Sequence, residues 1–166
     1  STATASPSVS ATDILAENEA SHDAAIDYVW DDAAATQINL NDSTITVEGE
    51  GVTVAGNIAT ITTAGTYSIS GYLADGPILV DPTDEELVRL ILNGVTIHSS
   101  TNAPLAVLNA EKVVIMLADN TENYLSDSAA YVFANPDDDE PNATLFSKSA
   151  LTIAGNGELT VDGQYN

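Results

Sequence analysis

Acidic side chains crowd one short stretch of the chain, residues 135–142, whose sequence is Asn-Pro-Asp-Asp-Asp-Glu-Pro-Asn. Four consecutive carboxylates repel one another unless a cation holds them, and hard oxygen ligands of this kind suit calcium. The stretch lies in a long insertion between the predicted strand residues Leu125 and Leu145. The predicted calcium ligands are Asp137, Asp139, Glu140, Asn142 and, from the start of the insertion, Asp127.

Two further carboxylates, Asp119 and Glu122, come from a neighbouring loop and could complete the shell. Calcium takes about six to eight oxygen ligands, so several loops would have to contribute. The spacing does not match an EF-hand loop. The alternative is an acidic loop surrounded by water, and the residues alone leave both possibilities open.

The single tryptophan, Trp30, lies in a mixed acidic and aromatic segment. Its ring could stack against a sugar, or it could cover an open end of a repetitive β fold, and covering is the more economical role. His22, with Asp23 and Asp27, could ligate a metal. A histidine among surface carboxylates is more often simply solvated.

The charge of the chain excludes some partners. Twenty-five acidic residues accompany three basic ones, Arg89, Lys112 and Lys148, giving a net charge of −22. Nucleic acid needs a cationic surface, and anionic membrane faces are disfavoured for the same reason. Self-repulsion of this size favours bound divalent cations or a salty medium, and calcium is the better candidate.

Catalysis is not predicted. Proton abstraction beside a bound calcium ion would need a cationic base. Arg89 is the only arginine, and it should point outward because Val88 and Leu90 point inward. No second cation lies near it in sequence, and Lys148 is expected to pair with a nearby carboxylate.

Composition also bears on the surroundings of the protein. There is no cysteine, so disulfides and thiolate metal sites are excluded. No apolar run approaches the roughly 20 residues that span a bilayer. The small-residue stretch at residues 1–8 is typical of a secreted protein after removal of its signal, so an extracellular or cell-surface location is expected.

Short apolar strands recur between Leu87 and Gly163. Leu90, Ile115 and Ile153 occupy equivalent places in successive units, once the acidic insertion is discounted. The pattern predicts an all-β fold, a right-handed parallel β-helix (β-solenoid) of stacked coils. It would occupy residues 37–166, behind an N-terminal linker or extension at residues 1–36 in which a helix is predicted from Thr12.

Five motifs of the chain resemble a bacterial surface family of carbohydrate-binding domain-containing proteins: GEGVTV at 49–54, AGTYSISG at 64–71, LILNGVTI at 90–97, LADNTEN at 117–123 and EPNATLFSK at 140–148. The resemblance covers roughly residues 37–166. It implies a pectate-lyase-like β-helix that binds calcium and acidic polysaccharide such as polygalacturonate. The family usually has two aspartates where this chain has Ser149 and Ala150, which removes two potential ligands.

The predicted function is therefore calcium-dependent binding of acidic polysaccharide without catalysis. A surface at −22 cannot attract a polyuronate directly, so the cation would bridge protein and sugar carboxylates. The alternative is a filament subunit that stacks end to end through its solenoid ends and its N-terminal extension.

Overall fold

The computed structural model describes residues 23–84 and 86–166. Residues 23–35 contain two short 3-10 turns, Ala25–Tyr28 and Asp32–Ala34. The helix predicted from Thr12 lies outside the described residues. The remainder consists of strands and loops. The strands are β1 (Thr36–Asp42), β2 (Thr44–Glu48), β3 (Val52–Ala55), β4 (Ile58–Ile61), β5 (Gly65–Leu73), β6 (Ile78–Val80), β7 (Leu87–Ser99), β8 (Leu105–Val107), β9 (Lys112–Leu117), β10 (Glu122–Asp127), β11 (Leu145–Ser147), β12 (Ala150–Gly155) and β13 (Glu158–Asp162).

The strands form two sheets. The first has the order β12-β9-β7-β5-β1-β2, with β10 pairing the second half of β7 and β13 pairing β10. The second has the order β11-β8-β6-β4-β3. Pairing is parallel throughout, except for β1 with β2 and β3 with β4. No helix in the described ranges is long and apolar enough to cross a membrane.

The predicted right-handed parallel β-helix is wrong. The structure has two mixed, mostly parallel sheets that do not close into a solenoid. The first strands cause the departure, because Gly56 and Asn57 alone join β3 to β4 and Ser43 alone joins β1 to β2. Connections this short can join only antiparallel neighbours, whereas parallel strands need a longer crossover.

The predicted inward residues do form the core. Leu90, Leu92, Val95 and Ile97 have no exposed surface. Leu90 pairs with Ile115 and Ile115 with Ile153, so the equivalences seen in the sequence are confirmed as strand register. Burying apolar area of this kind contributes about 25 cal/mol per Å². Ile153 remains 46% exposed.

A bend in β7 separates two parts of the first sheet. Asn93 and Gly94 are both exposed, and Gly94 has φ 75, a conformation that favours glycine although the space beside it is open. Inward positions are even-numbered before the bend and odd-numbered after it. The buried Asn123 side chain accepts hydrogen bonds from the N–H groups of Gly94 and Val95, both at 3.0 Å, and so fixes the bend.

Candidate functional site

A groove of about 570 Å³ lies on the face of the first sheet that points away from the core. One transverse row crosses it, with Gln37, Ser68, Ile91 and Met116 paired in turn across β1, β5, β7 and β9. The groove is also lined by Trp30 and Asp32 from the N-terminal segment, by Asn93 at the bend in β7, and by Asp119 and Asn156 from the loops after β9 and β12. It therefore combines an aromatic ring, apolar side chains and several hydrogen-bonding groups.

The Trp30 side chain is partly exposed, and its indole Nε1 donates a hydrogen bond to Asp32 Oδ1 at 2.6 Å. Asp31 Oδ1 accepts from the N–H of Ala33 at 3.0 Å, which starts the turn that follows. These contacts hold the ring in the groove with its own polar atom already satisfied. Trp30 thus lies on the face of a sheet, where its flat surface can meet a ligand.

The segment that carries Trp30 is fastened to the sheet by two basic residues. Arg89 Nε donates to the carbonyl of Asp27 at 2.7 Å, and Arg89 Nη2 donates to that of Ile26 at 2.8 Å. Lys112 pairs with the buried carboxylate of Asp27. The N–H of Ala24 and the ammonium of Lys112 hold the pKa of Asp27 below its usual range. Thr152 Oγ1 also donates to Asp23, at 2.5 Å.

All three basic side chains form hydrogen bonds or ion pairs with other groups of the protein. Arg89 points outward as predicted, but the carbonyls of the N-terminal segment engage it. Lys148 pairs with Glu140 at 2.8 Å, which confirms the role expected for it. That carboxylate raises the pKa of Lys148. None of the three cations is placed as a free base beside the groove.

Of the predicted calcium ligands, Asp127 is buried and bonded to the chain itself. Its Oδ2 accepts from Tyr131 at 2.6 Å and from Thr144 at 3.0 Å, and its Oδ1 accepts from the N–H of Gln164 at 2.6 Å. Burial acts to raise the pKa of Asp127, but these hydrogen bonds outweigh it, so the pKa lies below the usual value. Burial and the bond to Asp127 raise the pKa of Tyr131. Asp127 thus joins the acidic insertion to the residues after β13.

The other predicted ligands lie in the insertion. Asp137 and Asp139 are exposed, Asn142 is half-buried, and Glu140 is bonded to Lys148. Asp119 and Glu122 line a different depression of about 420 Å³, together with Glu158. No group of three or more His, Asp or Glu side chains in residues 23–84 and 86–166 is arranged to hold a metal. The calcium site stays a prediction.

His22 lies outside the described residues. Its proposed co-ligands are engaged elsewhere, since Asp23 binds Tyr28 and Thr152 while Asp27 binds Lys112.

The sequence did not single out Gln37, Ser68, Asn93 or Asn156 as site residues. Polar side chains on outward strand positions and in turns are ordinary. Only the register of the parallel strands brings Gln37 and Ser68 side by side.

Residues 55–166 match the family model of the carbohydrate-binding domain-containing protein. The chain belongs to this family. A carbohydrate-binding domain-containing protein of Acetivibrio thermocellus is 43% identical over 117 residues, which is 70% of this chain and 41% of that protein. A solved structure, the polysaccharide lyase-like protein from C. thermocellum in a gadolinium derivative, is similar with a TM-score of 0.77 and 38% identity. That similarity covers 80% of this chain and 54% of the solved one.

These comparisons confirm the carbohydrate-binding domain family that the five motifs indicated. The chain spans less than half of the relative and about half of the solved chain. Within the groove, Ser68, Ile91 and Met116 fall inside the range that the carbohydrate-binding domain model matches. Trp30 and Gln37 precede it.

Proposed function

We propose that the chain binds a polysaccharide without catalysis, in the groove beside Trp30. The observation that carries this proposal is the juxtaposition of a partly exposed indole with a transverse row of hydrogen-bonding and apolar side chains. Small-molecule sites are concave and apolar with a few placed polar groups, and aromatic side chains provide both area and rigidity. The family name agrees with this chemistry.

The groove suits a chain molecule better than a compact ligand. Adjacent strands lie about 4.8 Å apart, so a row across four strands extends for roughly 14 Å. Several sugar rings fit along such a row. Asp119 accepts from Asn156 Nδ2 at 3.0 Å and Asp32 accepts from Trp30, so both carboxylates are already oriented by neighbours. Each keeps oxygen lone pairs for sugar hydroxyls.

We propose the absence of catalysis because the basic side chains are engaged elsewhere. Arg89 is the residue considered as a lyase base, and its donors serve the carbonyls of the N-terminal segment. Releasing it would remove one of the contacts that hold the Trp30 segment to the sheet. The solved neighbour is polysaccharide lyase-like, and this chain shares its structure without a free cationic base beside the groove.

Calcium-dependent binding of acidic polysaccharide is the second candidate. Exposed Asp137 and Asp139 favour it, because calcium takes hard oxygen ligands. With every basic side chain engaged, a polyuronate would need a bridging cation. An extracellular location accords with either ligand. The filament alternative depended on stacking through solenoid ends, and the described residues form two open sheets instead of a solenoid.

Affinity electrophoresis in gels containing xyloglucan, galactomannan or polygalacturonate tests the main proposal, run with calcium and with EDTA. Trp30→Ala should weaken retention about tenfold, equivalent to roughly 1.4 kcal/mol, because the aromatic surface is lost. Val132→Ala, at a 66% exposed position in the insertion, is the control and should bind as the wild type does. Unchanged retention of Trp30→Ala, or no retention of the wild type in any gel, would show the proposal to be wrong. Retention only on polygalacturonate with calcium would support the second candidate.

A further inference from the structure

A second transverse row crosses the first sheet beyond the bend at Asn93 and Gly94. Asn41 pairs with Tyr72, Tyr72 with Thr96, Thr96 with Tyr124, and Tyr124 with Thr160, one residue from each of five strands. We name these five residues the tyrosine row. They point away from the core, since Leu73, Ile97 and Leu125, which follow three of them in sequence, have no exposed surface. The Trp30 groove uses none of them.

The two tyrosines of the row are unusually open for aromatic residues on a sheet. Tyr72 is 49% exposed and Tyr124 is 36% exposed. Thr96 lies between them in register, so the rings are two strand steps apart, about 9.6 Å. This distance is close to the length of a disaccharide unit in an extended glycan. Rings at such a spacing can stack with alternate sugars of one chain lying across the strands.

Tyr124 of the row is also restrained before any ligand binds. Tyr124 donates its hydroxyl hydrogen bond to Asp162 Oδ2 at 2.9 Å, which restricts the ring. Beside it is a depression of about 370 Å³ lined by Thr96, Glu122, Asn123, Tyr124, Glu158 and Thr160. Asn123 is fixed by its bonds to the bend. Groups restrained in this way lose little conformational entropy on binding.

The charges around the row select the ligand. Glu122, Glu158 and Asp162 border it, and Arg89, Lys112 and Lys148 are engaged elsewhere. A uronate or sulfated glycan would meet repulsion here, whereas hydroxyl groups can donate hydrogen bonds to the carboxylates. We propose that the tyrosine row is a second polysaccharide-binding surface of this protein, specific for uncharged polysaccharides.

This surface is distinct from the Trp30 groove. Ser68 of the groove and Tyr72 of the row are both on β5, four residues apart, which corresponds to about 13 Å along the strand. The bend lies between them. The two surfaces can therefore be inactivated separately.

The test uses the full chain with Tyr72→Ala, Tyr124→Ala and the double variant, in gels of xyloglucan, mixed-linkage β-glucan and galactomannan, with polygalacturonate as the charged counterpart. Each single variant should weaken retention on at least one uncharged polysaccharide about fivefold, and the double variant more than either. Tyr124→Phe keeps the ring and should stay within about threefold of the wild type. Val54→Ala, 41% exposed on the second sheet, is the matched control.

Thermal unfolding of each variant checks that the fold is retained, as expected for exposed positions. Wild-type retention of the double variant on all three uncharged polysaccharides would overturn the proposal, as would an equal loss for Val54→Ala. The same tyrosine variants, made in a Trp30→Ala background, distinguish the contributions of the two surfaces to retention. If Trp30→Ala alone has no effect but the tyrosine double variant still loses binding, the groove proposal fails and the tyrosine row stands.

Discussion

Lys112 of β9 forms an ion pair with Asp27, a residue 85 positions earlier in the chain. The Asp27 side chain is only 4% exposed, so the pair is shielded from solvent on the carboxylate side. Together with Arg89 it fixes the N-terminal segment across the first sheet. The location of Trp30, and with it the shape of the groove, therefore depends on charges outside the groove itself.

Neutralising that anchor should loosen Trp30. Asp27→Asn removes the charge that Lys112 neutralises, and we expect the indole to become more accessible and polysaccharide retention in the groove to fall about threefold to tenfold. Trp30 is the only tryptophan, so its fluorescence reports on this segment directly. Acrylamide quenching and the emission maximum should both increase in the variant. Asp81→Asn, at an exposed position, is the control, and equal quenching of Asp27→Asn and the wild type would contradict the anchor.

The same anchor should weaken in acid. The pKa of Asp27 is lowered in the folded chain, so its contribution to stability is present above the unfolded pKa near 3.9 and is lost as the pH falls below it. Trp30 quenching in the wild type should therefore approach that of Asp27→Asn as the pH falls below about 4. A wild-type value that stays unchanged to pH 2 or so would refute this dependence.

Asp127 should be a major stabilising residue of the C-terminal part. Asp127→Asn leaves Tyr131, Thr144 and the N–H of Gln164 without their charged acceptor, and we expect the free energy of unfolding to fall by about 1.5–3 kcal/mol at pH 7. The lowered pKa of Asp127 fixes the sign of the pH dependence. The difference between wild type and variant should be full above pH ~4 and should shrink below it. Urea unfolding at several pH values measures it.

Glu111→Gln, at an exposed position, serves as the comparison in that series and should change the free energy of unfolding by less than about 0.5 kcal/mol. A loss in Asp127→Asn that stayed constant from pH 7 to about pH 2 would mean that the carboxylate charge is not what stabilises the cluster.

The proposed calcium site can be tested through stability alone. A ligand that binds only the folded state raises the melting temperature by mass action. The wild type should therefore melt higher in calcium than in EDTA, and the double variant Asp137→Asn, Asp139→Asn should lose most of that increase while melting almost normally in EDTA. Asp81→Asn should retain the full increase. Equal increases in melting temperature for the wild type and the double variant would show that Asp137 and Asp139 are not calcium ligands.

Much of the core could be predicted from the sequence because it depends on local alternation. The alternation of Leu90 and Leu92 with Arg89 and Ile91 predicted that the two leucines point inward, and both have no exposed surface, although Ile91 on the opposite face is buried too. The strand register of Leu90 with Ile115 also followed from spacing. The predicted β-helix was wrong because a single connecting residue between β1 and β2 reverses the direction of the chain. The spacing of aliphatic residues does not tell whether neighbouring strands are parallel or antiparallel.

The sites were less predictable. Asp127 resembled other carboxylates of its insertion, yet its donors come from 4, 17 and 37 residues away, a combination that no local pattern encodes. For Trp30 the sequence favoured a cover over an open end of the fold and left a sugar platform as the alternative. Its neighbours in the groove were not singled out, since Gln37, Ser68 and Met116 become adjacent only through pairing across strands.

The transverse rows give this surface the properties of a ruler. Every strand contributes one outward side chain to a row, and neighbouring side chains of the row are separated by the fixed distance between paired strands, about 4.8 Å. Substituting one outward side chain, such as Ser68 or Thr96, changes the chemistry at one position of the row and leaves the other positions in place, because the hydrogen bonds that set the spacing belong to the main chain. An engineer could therefore tune the affinity for a repeating polymer one sugar unit at a time.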